Sequence, residues 1–399
     1  MLYKILKFPF FGSYMVRWKN PLSENEMKDW KRVTVKSKSG GTIQGLFLET
    51  KAENPLATIV LGHPMGKEAK GYFIKRGYHD FLKDYNYNVL IFDFNGFGES
   101  SHGSFSYHED IIAIGKMAQK LAPELPIGYH GISLGAMWAT IAFTDKSHPY
   151  KFAIIESAAT TLEEFWKRFP VAYRMLKVLN FILPKYRKHI KMVERIKETK
   201  IVTTLLFIYS RDDEWVDFEM SKKYLNNCPV KSELWSVDNA KHAEIVKSKS
   251  REDYFKKMVV FYDESLRNMT KRNKVDSAFL NQFTIVLLTS FDANTIMEKG
   301  LPTVAYLADR MNVSPKYLNE LLKMLTGQTT LVHIHNELLK QSKDLILNSD
   351  KTISTIAFEL GFEYSEYFSS FFKEKTGISP TQFRSNHKTL ILHEDEQKN

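Results

Sequence analysis

The sequence predicts an α/β domain with a mostly parallel sheet, followed by an all-α domain, and two patterns predict it. In the first 262 residues, short apolar runs alternate with longer helical patterns: Ala57–Gly62, Val89–Asp93, Ile127–Gly131, Phe152–Glu156, Thr204–Tyr209 and Ser232–Val237. Strands of that kind are buried on both faces, which implies a parallel sheet covered by helices on each side. Near the C-terminus the period changes. Ile353, Ile356, Ala357 and Leu360 recur at i, i+3, i+4 and i+7, the stripe of an amphipathic helix. At 399 residues the chain has room for two or three domains, each with its own core. The divisions expected are 1–262 for the α/β domain, 263–300 for a linker and bracing helix, 301–388 for the helical domain, and 389–399 for a polar tail.

Met1 to Trp18 is apolar and aromatic but carries Lys4, Lys7 and Arg17, and no small-residue cleavage site follows. It is too short and too charged to span a bilayer. It reads as a packing arm, with weak membrane contact as the alternative; no stable membrane insertion is expected. Arg32–Ser37 and Thr42–Glu49 then form a hairpin around Gly40 and Gly41. The single Cys228 leaves no intrachain disulfide, which fits a reducing, cytoplasmic setting.

The formal charge of +10 invites a polyanion as partner, but the excess is not in the helical domain, where acids and bases roughly balance. It lies between Thr160 and Lys200, where Lys167, Arg168, Arg174, Lys177, Lys185, Arg187, Lys188, Lys191, Arg195, Lys197 and Lys200 face only Glu163, Glu164, Glu194 and Glu198. A solvated face is the first account. Attraction to an anionic ligand, membrane headgroups or DNA phosphate is the other. Residues 263–276 are polar and basic and read as the linker, and Ala278 to Ile296 as the bracing helix.

The chemistry-bearing motif is Gly131-Ile132-Ser133-Leu134-Gly135, which follows one of the apolar strands and precedes a helix-like run. A G-x-S-x-G in that context is a nucleophile elbow: the turn lifts the serine hydroxyl clear of the sheet, and flanking side chains would clash. Downstream, Thr204–Tyr209 leads into Ser210-Arg211-Asp212-Asp213-Glu214, and a further strand leads into Asn239-Ala240-Lys241-His242. Serine, acid, histidine is the chain order of α/β-hydrolases, and the stretch from about Arg32 to Tyr262 resembles that family. The resemblance implies catalytic Ser133, His242 as its base, and an acid that fits Asp213 better than Asp212, with Glu156 as the remaining alternative. Gly62-His63-Pro64-Met65-Gly66 stands at the oxyanion loop and Asp93–Ser100 at the family's next loop. Backbone N–H groups of Leu134 and Met65 would form the oxyanion hole, since Pro64 has none to give. His63 reads as a loop brace. A cap is expected at about 158–200, with Phe165, Trp166, Phe169, Tyr173, Leu176, Leu179, Phe181 and Ile182 suiting a ligand with an apolar body and a negative end. No metal cluster, dinucleotide fingerprint or phosphate loop is present in the sequence, so no metal or cofactor is expected.

In the C-terminal part, the helix over 352–360 ends at Gly361, and a second, over 364–375, has Phe368, Phe371 and Phe372 inside. The runs Ile356-Ala357, Leu360-Gly361-Phe362, Tyr367-Phe368, Phe371-Phe372-Lys373 and Thr376-Gly377-Ile378-Ser379-Pro380, closing on Phe383-Arg384, closely resemble the second helix-turn-helix of AraC/XylS-type transcription regulators. The first unit stands about fifty residues earlier. Leu307, Ala308 and Met311 line its first helix, and Tyr317, Leu318, Leu321 and Leu322 the inner face of its second, while Ile334 to Leu347 connects the units. The resemblance covers Pro302 to Arg384. It implies double-stranded DNA as partner, with base contacts from Lys316, Asn319 and Glu320 in one unit and Ser365, Glu366 and Ser370 in the other. Lys323 and Lys373 would touch phosphates. Family members often carry arginine at the place of Ser370, which predicts weaker non-specific binding here.

The two resemblances together imply a transcription regulator whose hydrolase-like domain senses, and cleaves, a small acyl ester or thioester. The alternative is a serine hydrolase tethered to DNA, with regulation secondary. Homodimerisation through the upstream domain is implied by analogy with the regulators.

Overall fold

The computed structural model describes residues 2–182 and 191–386. It forms two compact units, Met1–Arg267 and Asn268–Asn399, and the boundary falls within the helix Arg251–Thr289. The segment 263–276, expected as a linker, is therefore helical: its polar residues carry no proline or glycine to interrupt a helix. That helix stops at Thr289, and a new one, Ala293–Lys299, starts under the side-chain cap of Asp292.

The first unit is built on one eight-stranded sheet. Its strands are β1 (Trp30–Lys36), β2 (Thr42–Leu48), β3 (Ala57–Gly62), β4 (Tyr87–Phe92), β5 (Ile127–Ile132), β6 (Tyr150–Glu156), β7 (Thr204–Ser210) and β8 (Lys231–Val237). Their spatial order is β1-β2-β4-β3-β5-β6-β7-β8. The hairpin β1-β2 and the β2-β4 pair are antiparallel, and every pair from β4 to β8 is parallel. β3, β4, β5 and β7 are buried at every residue, which is why they read as continuous apolar runs; the edge strands β1 and β8 are partly exposed.

The N-terminal stretch is a helix, Leu2–Phe11, that inserts Phe10 and Phe11 into the core beside Trp166, with ring centroids 5.2 and 5.6 Å apart. Lys7 goes in with them. Its ammonium lies 4.2 Å over the Tyr107 ring and bonds Asn95, and burial pushes its pKa down to about 7. Among the described residues no helix is long and apolar enough to cross a membrane.

The second unit holds two helix pairs, Val304–Arg310 with Pro315–Thr326 and Ile353–Glu359 with Ser365–Thr376, joined by the helix Thr330–Asn348. Local sequence sets each start. Thr303, Ser314, Thr329 and Thr352 accept hydrogen bonds from N–H groups three residues on, and Pro315 occupies the first turn, where its missing N–H costs nothing. Gly327 and Gly377 end the second helix of each pair at φ 77° and 83°, the left-handed conformation that glycine takes freely. Leu307, Ala308, Leu318, Leu322, Ile356, Ala357, Phe368 and Phe372 fill the core. Arg384 locks the end, donating to the carbonyls of Ile346 at 2.9 Å and Lys351 at 2.8 Å. The expected tail, 389–399, lies outside the described residues.

Candidate functional site

Ser133 stands between β5 and the helix Leu134–Ala142 with φ 50° and ψ −106°, a conformation that L residues seldom adopt. The flanking glycines make it possible. A Cβ on Gly131 would meet the Gly135 carbonyl at 2.6 Å, and one on Gly135 would meet the Gly62 carbonyl carbon at 2.5 Å. The elbow is anchored by the Ser133 N–H, which donates to the Glu156 carbonyl at 2.8 Å.

His242 comes from the loop after β8 and Asp213 from the loop after β7. The Ser133 Oγ and His242 Nε2 are 2.7 Å apart, and His242 Nδ1 lies 2.8 and 3.0 Å from the two carboxylate oxygens of Asp213. With Nδ1–H donating to the carboxylate, Nε2 is the acceptor for the serine hydroxyl. Asp213 Oδ1 also accepts from the N–H groups of Trp215 and Val216, at 2.8 and 2.9 Å, so its orientation is fixed independently of the histidine. The Trp215 ring stacks on the imidazole at 5.0 Å and 15°.

The other two acids are engaged elsewhere. Asp212 accepts from the Asn239 N–H at 2.6 Å and so braces the loop that carries the histidine. Glu156 is fully buried and accepts from the Tyr254 hydroxyl at 2.5 Å, with His130 at 3.2 Å. His63 is a brace: its Nδ1–H donates to the Pro64 carbonyl at 2.8 Å, and its Nε2 accepts from the Phe94 N–H at 3.1 Å. Burial pushes its pKa down to about 4 and keeps it neutral.

Leu134 is the first residue of its helix, where backbone N–H groups have no intrahelical acceptor, and both Leu134 and Met65 border the cavity that Ser133 opens into. That cavity is narrow, about 60 Å³ measured to the centres of water-sized spheres. Phe10 and Phe11 of the arm wall one part, Met137 and Trp138 of the elbow helix another, and Phe165, Trp166, Leu176 and Leu179 of the cap a third. The segment expected as a cap holds the helices Leu162–Trp166, Pro170–Ile182 and Met192–Arg195. Lys167, Arg168, Arg174, Lys177, Lys191, Lys197 and Lys200 are exposed, and among the described residues none of those bordering the cavity is charged. Among the described cap residues the cations lie on the exposed side of the helices, because residues that alternate with a helix's apolar stripe face away from it. Phe181 and Ile182 are likewise exposed rather than part of the wall. Lys185, Arg187 and Lys188 lie outside the described residues.

The sequence did not reveal that the arm walls this cavity, that Trp215 backs the histidine, or that Tyr107 and Trp138 border the site. Each follows from long-range packing, and only the aromatic character of these residues hinted at it.

In the second unit Lys316, Glu320, Lys323, Glu366, Ser370 and Lys373 are exposed on the second helices of the two pairs, and Ser365 is partly so. Asn319 is different: its side-chain oxygen accepts from the Thr330 N–H at 3.1 Å, where the connecting helix begins. Its carbonyl is thereby occupied in fixing the angle between two helices. Tyr317, expected inside, is 53% exposed, and Tyr367, fifty positions later, is 63% exposed. Each is the third residue of its helix, so the two pairs present a tyrosine from matching turns.

Comparison with known proteins finds one match within each unit. Residues 307–386 match the family described as "Helix-turn-helix domain" and residues 53–198 the one described as "Serine aminopeptidase, S33". An HTH-type transcriptional regulator of Pseudoalteromonas carrageenovora is 28% identical over 116 residues, 29% of this chain and 67% of that protein. The HTH-type transcriptional activator RhaS of Escherichia fergusonii is 35% identical over 78 residues, 20% of this chain and 28% of the activator. The chain thus spans only part of the length of the curated relatives it matches. An esterase structure from Pyrococcus furiosus superposes with a TM-score of 0.50 at 21% identity, covering 63% of this chain and 97% of the esterase; at that identity the likeness is one of fold.

Proposed function

Since the chain joins an α/β-hydrolase domain to an AraC-type helix-turn-helix domain, we propose that it is a sequence-specific DNA-binding regulator whose hydrolase domain binds and cleaves a small acyl ester or thioester. The observation that carries the proposal is the hydrogen-bonded line Ser133, His242, Asp213 at the foot of an apolar cavity. A domain that only sensed a ligand would have no use for it.

The chemistry follows from the geometry. The Ser133 Oγ attacks the carbonyl carbon of a bound ester, its proton passes to His242 Nε2, and the carbonyl oxygen becomes an oxyanion facing the N–H groups of Leu134 and Met65. Asp213 holds the imidazole in the tautomer that can accept that proton and stabilises the imidazolium that results. When the tetrahedral species collapses, the carbon–leaving-group bond breaks and the leaving alkoxide or thiolate takes the proton from Nε2. Water, deprotonated by the same nitrogen, then releases the acid and restores Ser133. The apolar lining formed by the described residues suits a neutral acyl chain.

On DNA, the second helices of the two pairs enter successive major grooves about 34 Å apart on one face of the duplex. Lys316, Glu320, Glu366 and Ser370 would reach base edges, with Ser365 beside them, while Lys323 and Lys373 hold phosphates. The Asn319 carbonyl is occupied, so its contribution is smaller. The complete triad also favours a second reading, a hydrolase tethered to DNA, in which DNA binding serves location rather than regulation.

Selection of bound sequences from random duplex pools, with wild type and Ser133→Ala in parallel and p-nitrophenyl ester hydrolysis measured on both, tests the proposal. It expects a two-part motif for both proteins and ester cleavage by the wild type alone. Robust cleavage with no enriched motif would leave only the enzyme.

A further inference from the structure

Two helices that wall the Ser133 cavity also carry apolar residues on their exposed side. The arm helix Leu2–Phe11 packs against the helix Pro170–Ile182 of the cap segment. Their inner residues Phe10, Phe11, Leu176 and Leu179 border the cavity. Outside, Ile5 and Phe8 of the arm and Val171, Val178 and Phe181 of the second helix are exposed, Phe8 by 70% and Phe181 by 81%. Val171, Val178 and Ile182 recur at i, i+7 and i+11, so the second helix has an apolar stripe besides the buried one of Ala172, Leu176 and Leu179. A helix at the surface of a protein surrounded by water needs only one. The charges among these residues are all of one sign. Neither helix contains an aspartate or a glutamate, while Lys4, Arg174 and Lys177 are exposed on them. Arg174 is three residues from Val171 and four from Val178, which puts it beside the outer stripe.

We propose that this face docks on the surface of a bilayer rich in anionic phospholipid. Phe8, Val178 and their apolar neighbours enter the boundary between headgroups and acyl chains, and the ammonium and guanidinium groups stay at the level of the phosphates, as in a helix that lies in a membrane interface. Each cation near such a surface adds to the attraction until salt screens it. Other occupants meet only half of what the face presents. DNA would satisfy the cations and leave Phe8 and Phe181 in water. A second copy of the chain would cover the phenyl rings, but a two-fold contact sets this patch against itself, cation against cation. An anionic bilayer takes both the apolar groups and the charges. The contact is with the surface and crosses nothing, and it does not depend on what Ser133 does.

Sedimentation of the intact protein with vesicles, in the absence of DNA, tests the proposal. The vesicles are phosphatidylcholine alone or an equal mixture of phosphatidylcholine and phosphatidylglycerol. Wild type is compared with Phe8→Ser combined with Val178→Ser, and with Arg174→Ser combined with Lys177→Ser, melting temperature serving as the control for folding. The wild type should partition onto the mixed vesicles at least about tenfold better than onto phosphatidylcholine, and high salt should weaken it. Either pair of substitutions should lower partitioning onto the mixed vesicles by about tenfold. A wild type that stays in the supernatant, or that binds both kinds of vesicle alike, overturns the proposal. Binding that survives both pairs overturns it too, since the attachment then lies elsewhere on the chain. Loss in the Arg174 and Lys177 pair with none in the Phe8 and Val178 pair leaves charge attraction without docking, which also contradicts it. If the wild type ignores vesicles but self-associates, and Phe8→Ser with Val178→Ser abolishes that, the face belongs to a second copy of the chain instead.

Discussion

Replacing Asp213 by asparagine separates the acid assigned here from its two neighbours in sequence and space. Asparagine keeps the shape and can still accept from the N–H groups of Trp215 and Val216, now 2.8 and 2.9 Å from Oδ1. What changes is the side facing His242. The carboxylate is 2.8 Å from Nδ1, and an amide NH₂ in that place donates toward the ring, so the imidazole must carry its proton on Nε2. Nε2–H then points at the Ser133 Oγ, 2.7 Å away, and cannot receive the hydroxyl proton. A wrong tautomer in a triad of this type lowers kcat by about 10⁴, or roughly 5 kcal/mol of transition-state stabilisation. The assay is steady-state hydrolysis of a p-nitrophenyl ester, with melting temperature as the control for folding. Asp212→Asn, which touches only the Asn239 N–H, and Glu156→Gln serve as comparisons. The reasoning is refuted if Asp213→Asn costs less than tenfold, or if either comparison protein loses more activity than it does.

Other outcomes follow from the same geometry. Gly135→Ala drives a methyl group into the Gly62 backbone, which cannot yield, and should destabilise the first unit by about 3 kcal/mol, read as a lower urea midpoint. Arg384→Ala removes two charge-assisted bonds to the Ile346 and Lys351 carbonyls and should cost the second unit about 2 kcal/mol, visible as earlier melting and weaker DNA binding. Ser370→Arg should tighten non-specific DNA binding and steepen the dependence of log affinity on log salt by about 0.9, measured by fluorescence anisotropy at several salt concentrations. His63 sets a pH window. Its folded pKa of about 4 is below the ordinary 6.5, so its contribution is complete above pH 6.5. As pH falls to 4 the unfolded chain takes a proton that the folded one refuses, and up to roughly 3 kcal/mol is lost. Between pH 6.5 and 4, His63→Gln should show a flatter fall in stability than the wild type.

The strands could be read from the sequence because a parallel sheet covered on both faces needs mainly apolar residues, and β3 to β7 are rich in them. That Ser133, Asp213 and His242 would meet was legible for a related reason: each sits in a loop directly after a strand, where order along the chain maps onto position at one end of the sheet. Alternatives that spacing left open closed only in three dimensions, where Asp212 turned to Asn239 and Glu156 to Tyr254. The cavity wall was least legible. Phe10 and Phe11 are more than a hundred residues from Ser133, and nothing in a local period says that an arm at the N-terminus will reach the site. Tyr317 illustrates a different limit. It looked like part of an apolar face, but a large amphipathic ring near a helix start can as readily face outward, as Tyr367 does in the second pair. The basic residues of the cap segment were read first as a solvated face, and those described, Lys167, Arg168, Arg174 and Lys177 among them, are exposed.

The measurement that bears most directly on the central claim is the affinity of the intact protein for its selected DNA site before and after Ser133 is blocked by a p-nitrophenyl alkylphosphonate ester, which leaves a stable adduct on the serine oxygen. A regulator governed by acyl ligands should change its affinity at least fivefold, the lower end of ordinary coupling between sites, and Ser133→Ala treated in the same way should not change. Equal affinity before and after complete labelling would contradict the account, and the two units would then be an enzyme and a DNA anchor working side by side.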